Sequence, residues 1–362
     1  MDKLKKYFNG FALVFFIYLF LLGIKLISSS FKIASGSHVV NLIQNVSNPF
    51  IGLFIGILVT SLVQSSSSTT SLTVALVASG TLNIELGIYI IMGANIGTSI
   101  TNVLVSLSHI TRKNEFEYAF AAATVHDFFN LITVLLIFPL EFFLHYLSKV
   151  SKLSADLLKN MGGLKLFKPL DYIIKPVQHF VMDMVGQHPL ILGIIAILML
   201  FIALRYIVVL IKNLVFDKIK KIFGTYFFKN YGRAMTTGTV ITAIVQSSSV
   251  TTSLVVPFAA ARILTLEQIF PYTLGANIGT TVTALLAALS IGKPLGLQVA
   301  LAHLLFNITG IIFITPIRKL PVFLARKLAY YAVKNRIIPF VYVIVQFFII
   351  PLIFIYLFGG VK

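Results

Sequence analysis

The chain of 362 residues contains no cysteine, which excludes disulfides, thiolate catalysis and Cys-based metal sites and leaves the redox compartment undefined. Charge is scarce too: Asp, Glu, Lys and Arg make up 11% of the residues, and only 11 are acidic. Clusters of carboxylate, His and Lys within the apolar stretches are lacking, which argues against a membrane-embedded enzyme. No small-residue cleavage site closes the first apolar run, "FALVFFIYLFLLGIKLI" from Phe11, so it is expected as a retained helix and not as a signal peptide.

Apolar side chains are what the sequence has in abundance. They make up 58% of the residues, and the mean hydropathy is +0.96, values that place the chain in a lipid bilayer. A crossing of the roughly 30 Å hydrocarbon core takes about 20 apolar residues. Seven runs of that length are expected, at about 11–30, 84–110, 117–147, 190–211, 265–290, 296–316 and 338–358, within one membrane domain covering 1–362.

The formal net charge of +18 does not point to nucleic acid, because the basic residues stand at the ends of apolar runs and are not interleaved with aromatics on one soluble face. The densest groups, Lys212 to Arg233 and Arg318 to Arg336, are expected in the cytoplasm with the N-terminus, in contact with anionic lipid. The segment 148–188 then falls outside. With Gly162, Gly163, Pro169 and Pro176 it reads as a linker loop, although six Lys against two Asp in its first part weigh against an external position.

Two further apolar regions, about 39–80 and 234–262, are interrupted at their middles by "QSSSSTTS" (Gln64 to Ser71) and "QSSSVTTS" (Gln246 to Ser253). Each half is short for a crossing, so each region is expected to be a re-entrant helical hairpin, which lipid tolerates only where protein or a water-filled cavity surrounds its tip. The register holds downstream: Leu82 matches Leu264, Glu85 matches Glu267, and "GANIGTSIT" (Gly93 to Thr101) matches "GANIGTTVT" (Gly275 to Thr283). Further on, "HDFFN" (His126 to Asn130) matches "HLLFN" (His303 to Asn307), and Pro139 matches Pro316.

Each copy therefore reads as helix, hairpin, helix broken at "GANIGT", and helix, with three crossings, so the second copy is inverted. Repeat 1 spans 8–147, repeat 2 spans 189–316, and an extra C-terminal helix at 337–358 stands outside the symmetry. Inverted repeats with paired breaks are the mark of a secondary transporter whose site lies where the repeats meet.

Small polar residues in a lipid-embedded helix often serve only close packing or bond back to a carbonyl one turn earlier. Recurrence of a specific Gln followed by consecutive hydroxyls argues for more. Gln64 to Thr69 and Gln246 to Thr251 are expected as hairpin tips. Exposed N–H groups at a helix start suit an anion, whereas freed carbonyls with the side-chain oxygens of Asn95, Thr98, Asn277 and Thr280 suit a hard cation such as Na+.

For "GANIGT" the plainer alternative is a glycine packing face, Gly93 with Gly97 and Gly275 with Gly279. No basic residue lies in either tip, so cotransported cations are expected to balance an anion, with Arg262 just beyond the second hairpin as a qualification. His126 and Asp127 are ionisable groups within an apolar helix and are expected to be functional; His303 reads equally well as a core histidine. Glu85 and Glu267 are expected to stabilise helix starts.

Together these motifs resemble the type II sodium:phosphate cotransporter family. Besides both Gln-Ser-Ser-Ser stretches, the resemblance rests on "IIMGANIGTSITN" (Ile90 to Asn102), "TLGANIGTTVTALLAALS" (Thr273 to Ser290), "FEYAFAAATVHDFFN" (Phe116 to Asn130) and "LAHLLFNITG" (Leu301 to Gly310). It implies an all-α integral membrane protein similar to divalent anion:sodium symporters, Na+-driven phosphate uptake by an elevator movement, no cofactor, and a multi-pass place in the plasma membrane.

The implied phosphate residues are Gln64, Ser65, Ser66, Ser67, Gln246, Ser247, Ser248 and Ser249. The implied Na+ residues are Ser68, Thr69, Asn95, Thr98, Thr251, Asn277, Thr280 and Asp127. Partners are phosphate, Na+ and lipid, with a homodimer left open. In animal relatives an Asp directly after the His marks electrogenic members, and Asp127 stands there. The absence of Cys departs from the animal pattern of a disulfide-bearing external loop and looks bacterial, and no appended regulatory domain is expected. Transport of arsenate or a dicarboxylate is the alternative, and an anion channel a further one.

Overall fold

The computed structural model describes residues 2–33, 48–160, 168–186, 188–222 and 227–359. Residues 39–47 of the first hairpin region, together with Gly162 and Gly163, lie outside the described residues. Among those described there is no strand. Among the described residues seven helices are long and apolar enough to cross a membrane, at Tyr7–Ser30, Ile84–His109, Lys113–Leu144, Pro189–Leu210, Leu266–Ile291, Pro294–Ile314 and Ile337–Gly359, close to the expected runs.

Helix α1 (Asp2–Ile33) is followed by α2 (Pro49–Val63), α3 (Ser66–Ser79) and α4 (Ile84–Gly97), then a short α5 (Ile100–Ser106) and the long α6 (Lys113–Leu144). Local capping sets these ends. Asn48 Oδ1 accepts from the Phe50 amide at 2.9 Å with Pro49 in the first turn, Asn83 Oδ1 accepts from the Leu86 amide at 2.7 Å, and Gly80 closes α3 in the left-handed region. At 15 and 14 residues, α2 and α3 reach only about 22 Å each at 1.5 Å per residue, less than a crossing.

The second half repeats the order. Helix α9 (Pro189–Ile222) precedes α10 (Tyr231–Val245), α11 (Ser248–Ala260), α12 (Leu266–Ile291) and α13 (Pro294–Ile314). A reciprocal capping box of Thr265 and Gln268 starts α12. Glu85 and Glu267 both stand in first turns, where a carboxylate complements the helix dipole. After the second half come α14 (Lys319–Lys334), α15 (Ile337–Ile344), a π-helical turn (Val345–Ile349) and α16 (Ile350–Gly359).

Two expectations change. The described part of segment 148–188, expected as a loop, is almost all helix: α7 (Tyr146–Asn160) and α8 (Lys168–Val185). Leu147, Ser151 and Ala155, four residues apart, are buried, so α7 lays one stripe on the protein. The carboxylate of the buried Glu141 starts this helix by accepting from the amides of Leu147 (2.6 Å) and Ser148 (3.2 Å).

The expected helix breaks at "GANIGT" are also corrected. Helix α12 runs unbroken through Gly275 to Thr280, and in the first copy only Thr98 and Ser99 separate α4 from α5, both with right-handed helical backbone. Side chains that were expected to leave the helix instead bond back within it: Asn95 Nδ2 to the Ile91 carbonyl at 2.9 Å and Thr98 Oγ1 to the Ala94 carbonyl at 2.8 Å.

The glycines serve close approach. A Cβ on Gly93 would collide with the carbonyl oxygen of Leu53, and one on Gly275 with that of Met235. Gly56 and Gly238 bear the same relation to the carbonyls of Ile90 and Tyr272. Thus α2 lies backbone to backbone along α4, and α10 along α12, with the chain direction parallel in both pairs. Helix α1 and helix α9 pack antiparallel: Phe16 stacks on Tyr206 at 4.7 Å, Gly23 faces Ala196 and Leu200, and Ser30 Oγ donates to the Pro189 carbonyl at 2.6 Å.

Candidate functional site

The two Gln-Ser-Ser-Ser stretches form near-identical turns. Gln64 (φ 55°, ψ 31°) and Gln246 (φ 56°, ψ 27°) are both left-handed, and each amide donates to the carbonyl of a threonine four residues earlier, Thr60 or Thr242, at 2.7 Å. A left-handed backbone costs a side-chain-bearing residue roughly 1–2 kcal/mol, which glycine would avoid. The next residue caps the returning helix: Ser65 Oγ accepts from the Ser68 amide at 3.2 Å and Ser247 Oγ from the Val250 amide at 3.3 Å. Across each hairpin, Thr60 bonds Thr69 at 3.0 Å and Thr242 bonds Thr251 at 2.7 Å.

The two turns meet. Ser67 Oγ donates to the Gln246 carbonyl at 3.0 Å and lies 3.3 Å from Thr280 Oγ1. Three expected site residues from both copies therefore share one spot. Ser66, Ser248 and Ser249 are buried beside the turns, and Ser248 Oγ has no hydrogen-bond partner. No Lys or Arg lies in either turn, so N–H, O–H and carbonyl groups make up its polar surface.

The expected cation residues divide into groups. Ser68 and Thr69 stay within the first turn, where Ser68 Oγ lies 2.8 Å from Ser65 Oγ, and Thr251 stays within the second. Asn95 and Thr98 turn back on their own helix, and Thr280 faces Ser67. Asn277 joins a buried chain of neutral groups instead. Asn102 Oδ1 accepts from Ser253 Oγ at 3.0 Å, with Thr252 Oγ1 at 2.9 Å and shared with the Ser248 carbonyl.

The amide nitrogen of Asn102 then faces His126 Nδ1 at 3.3 Å. Nδ1 must accept, so Nε2 carries the proton and donates to Asn277 Oδ1 at 2.6 Å. Asn277 Nδ2 passes on to Asn130 Oδ1 at 2.8 Å, and Asn130 Nδ2 to the Asn95 carbonyl at 2.7 Å. The chain thus crosses between the two copies three times, at Thr252 to Asn102, His126 to Asn277 and Asn277 to Asn130, through groups with no net charge that are buried from Asn102 to Asn130.

Asp127 lies apart from the turns. It is fully buried, and its Oδ2 accepts from the Tyr342 hydroxyl and from Gln346 Nε2, the latter at 3.0 Å. Its counterpart in the second copy is Leu304. His303, the counterpart of His126, is buried with neither ring nitrogen hydrogen-bonded, and Asn307 Oδ1 is likewise without a partner.

Residues missed at the sequence level are Asn102, Asn130, Tyr342 and Gln346. The matched Asn130 and Asn307 were a usable signal. A lone Asn102 paired with Ala284 in the second copy, and two polar residues in an otherwise greasy last helix, were weaker ones.

Comparison with known proteins agrees with the recurring turns. Residues 19–163 and 199–322 match the family model described as Na+/Pi-cotransporter. The chain is 34% identical to the sodium-dependent phosphate transport protein 2B of Homo sapiens, an alignment covering 97% of this chain and 66% of that protein. It is 35% identical to the 2B protein of Bos taurus, over 94% and 63% of the two chains. With the sodium-dependent phosphate transport protein 2A of Rattus norvegicus it shares 32% identity, over 93% and 65%. The chain spans less than two thirds of the length of these relatives. No solved structure matches it. With most of its length matched by the family model, including both Gln-Ser-Ser-Ser turns, the chain belongs to the Na+/Pi-cotransporter family.

Proposed function

We propose that the chain is a secondary active transporter that couples inward Na+ movement to uptake of inorganic phosphate, with no cofactor and no enzymatic step. The observation that carries this is the meeting of the two turns at Ser67 and Gln246, which sets two equivalent sets of hydroxyl and amide groups against each other inside an apolar protein. Phosphate needs several convergent donors, and the turns supply them on Gln64, Ser65, Ser66, Ser67 and on Gln246, Ser247, Ser248, Ser249. The contact of Ser67 with the Gln246 carbonyl occupies one of these donors, so binding requires the turns to part. Because donors at the turns carry no charge, Na+ must neutralise the anion, and hydroxyl and carboxylate oxygens suit Na+.

Re-entrant hairpins and inverted repeats complete the proposal. Support comes from the shortness of α2 and α3, from the identical turns, and from the antiparallel packing of the equivalent helices α1 and α9. On this reading repeat 1 is 8–147 and repeat 2 is 189–316, access alternates by an elevator movement, and the protein is multi-pass in the plasma membrane with a cytoplasmic N-terminus. Asp127 holds an additional Na+ and makes transport electrogenic.

Purified protein in proteoliposomes tests this directly. Phosphate uptake is expected only with an inward Na+ gradient, falling at least tenfold in Ser66→Ala and Ser248→Ala. Uptake that persists without the gradient would point to a channel, and stronger competition by arsenate or a dicarboxylate than by phosphate would reassign the anion.

A further inference from the structure

The last helix stands outside the repeated architecture, and so does Asp127. Every other polar group in "HDFFN" has a like residue in "HLLFN", whereas Asp127 faces Leu304 in the alignment. The two residues that hold Asp127 Oδ2, Tyr342 and Gln346, come from this same unrepeated helix. Two departures from symmetry, one a buried carboxylate and one a helix, thus meet at a single oxygen.

The local backbone is built for that meeting. Gln346 lies in the π-helical turn Val345–Ile349, and such turns, rare in proteins, concentrate at functional positions. The Tyr342 ring is held edge-on between Phe120 at 6.3 Å and Phe347 at 6.4 Å, which fixes where its hydroxyl points. Farther along, Phe354 stacks on Phe54 at 4.4 Å and Phe358 on Phe50 at 4.8 Å, tying the same helix to the outer arm of the first hairpin. Asp127 Oδ1 is buried and has no hydrogen-bond partner. One carboxylate oxygen is therefore anchored and the other left free, as a cation ligand requires.

We propose that Tyr342 and Gln346 are positioning residues for cation binding at Asp127: by anchoring Oδ2 they aim Oδ1 at the ion and set both affinity and ionic-radius preference. This rests on Asp127 being a Na+ ligand, as argued under Proposed function. A carboxylate with one fixed oxygen presents its other at a set distance, and a set distance discriminates Na+ from the smaller Li+. Released from Tyr342, the group follows the ion and discriminates less.

The test is a binding titration that does not depend on transport. The full chain in detergent is melted in NaCl or LiCl, with choline chloride holding ionic strength constant, for wild type, Tyr342→Phe, Gln346→Leu, Asp127→Asn and the Tyr342→Phe/Asp127→Asn pair. Tyr342→Phe is expected to raise the half-effective Na+ concentration about tenfold, the lower end for loss of an outer partner of a ligand, and to narrow the difference between Na+ and Li+. Gln346→Leu shifts it in the same direction by less. Asp127→Asn removes that component of the Na+ response, and Tyr342→Phe then adds nothing to it.

Variants that change melting in choline alone, with the Na+ dependence of wild type, would overturn the proposal. So would Tyr342→Phe adding its full effect on top of Asp127→Asn, or Asp127→Asn responding to Na+ as wild type does. Should Tyr342→Phe fail to fold, Gln346→Leu decides. Uptake in proteoliposomes is read separately: wild type that ignores a Na+ gradient sinks the transport reading, and the titration still decides the role of Tyr342.

Discussion

Gln64 and Gln246, far apart in the chain, hold the same left-handed backbone to within 1° in φ and 4° in ψ, each at the tip between a short helix and its returning partner of similar length. Glycine would take this conformation without strain. Glutamine twice over means that the amide side chain is wanted there at a cost of about 1–2 kcal/mol per turn. Replacement by glycine therefore separates folding from function. Gln64→Gly and Gln246→Gly are expected to melt at or above the wild-type temperature in detergent while Na+-driven phosphate uptake drops at least tenfold. Gln64→Ala keeps the strain and loses the amide, so it gains no stability.

The two buried histidines offer a contrast. His126 bonds through both ring nitrogens, so His126→Leu leaves Asn102 and Asn277 unsatisfied and is expected to cost about 1–3 kcal/mol, seen as a lower melting temperature. His303 bonds through neither, and His303→Leu is expected to be neutral or stabilising, since an unpaired buried polar group is replaced by an apolar one. Equal losses in the two variants would contradict the bonding pattern.

Glycine packing predicts where the fold breaks. Gly93→Ala and Gly275→Ala put a methyl group into the backbone of the facing helix, and each is expected to destabilise by about 1–3 kcal/mol or more. Gly10 lies inside α1 with open space around it, and Gly10→Ala is expected to leave the melting temperature unchanged or raise it slightly. Thermal unfolding of the purified variants side by side provides the check.

If Asp127 holds an additional Na+, phosphate should evoke an inward current in planar or supported membranes carrying the protein. Asp127→Gly is expected to abolish the current while retaining electroneutral uptake. Silent, voltage-insensitive uptake in the wild type would reject the electrogenic assignment.

Most of the helical layout was legible in the sequence because membrane length imposes it. An apolar run of about 20 residues has few other uses, and the runs from Ile84 and Pro294 begin where the Asn83 cap and the first-turn proline say they should. The paired turns were legible because they recur. What escaped detection was relational. "GANIGT" looked like a break, since the sequence does not say whether Asn95 and Thr98 bond outward or back to their own helix. Asn102 had no counterpart to draw attention to it, and Tyr342 meets Asp127 across more than 200 residues of chain, a pairing without local signal. The helicity of 148–188 was masked by its polar residues, whose apolar stripe covers only one side.

The glycine contacts also say which parts of the protein travel together. Where two helices touch through bare backbone there is no layer of side chains to shear, and a carbonyl seated against Gly93 or Gly275 blocks lengthwise slip. The outer arm of each hairpin is in effect keyed to the helix that follows it, making two stiff plates. On the transport reading proposed above, parting Ser67 from the Gln246 carbonyl would be a movement of one plate and its turn against the other, with a left-handed glutamine at the end of the outer arm in each.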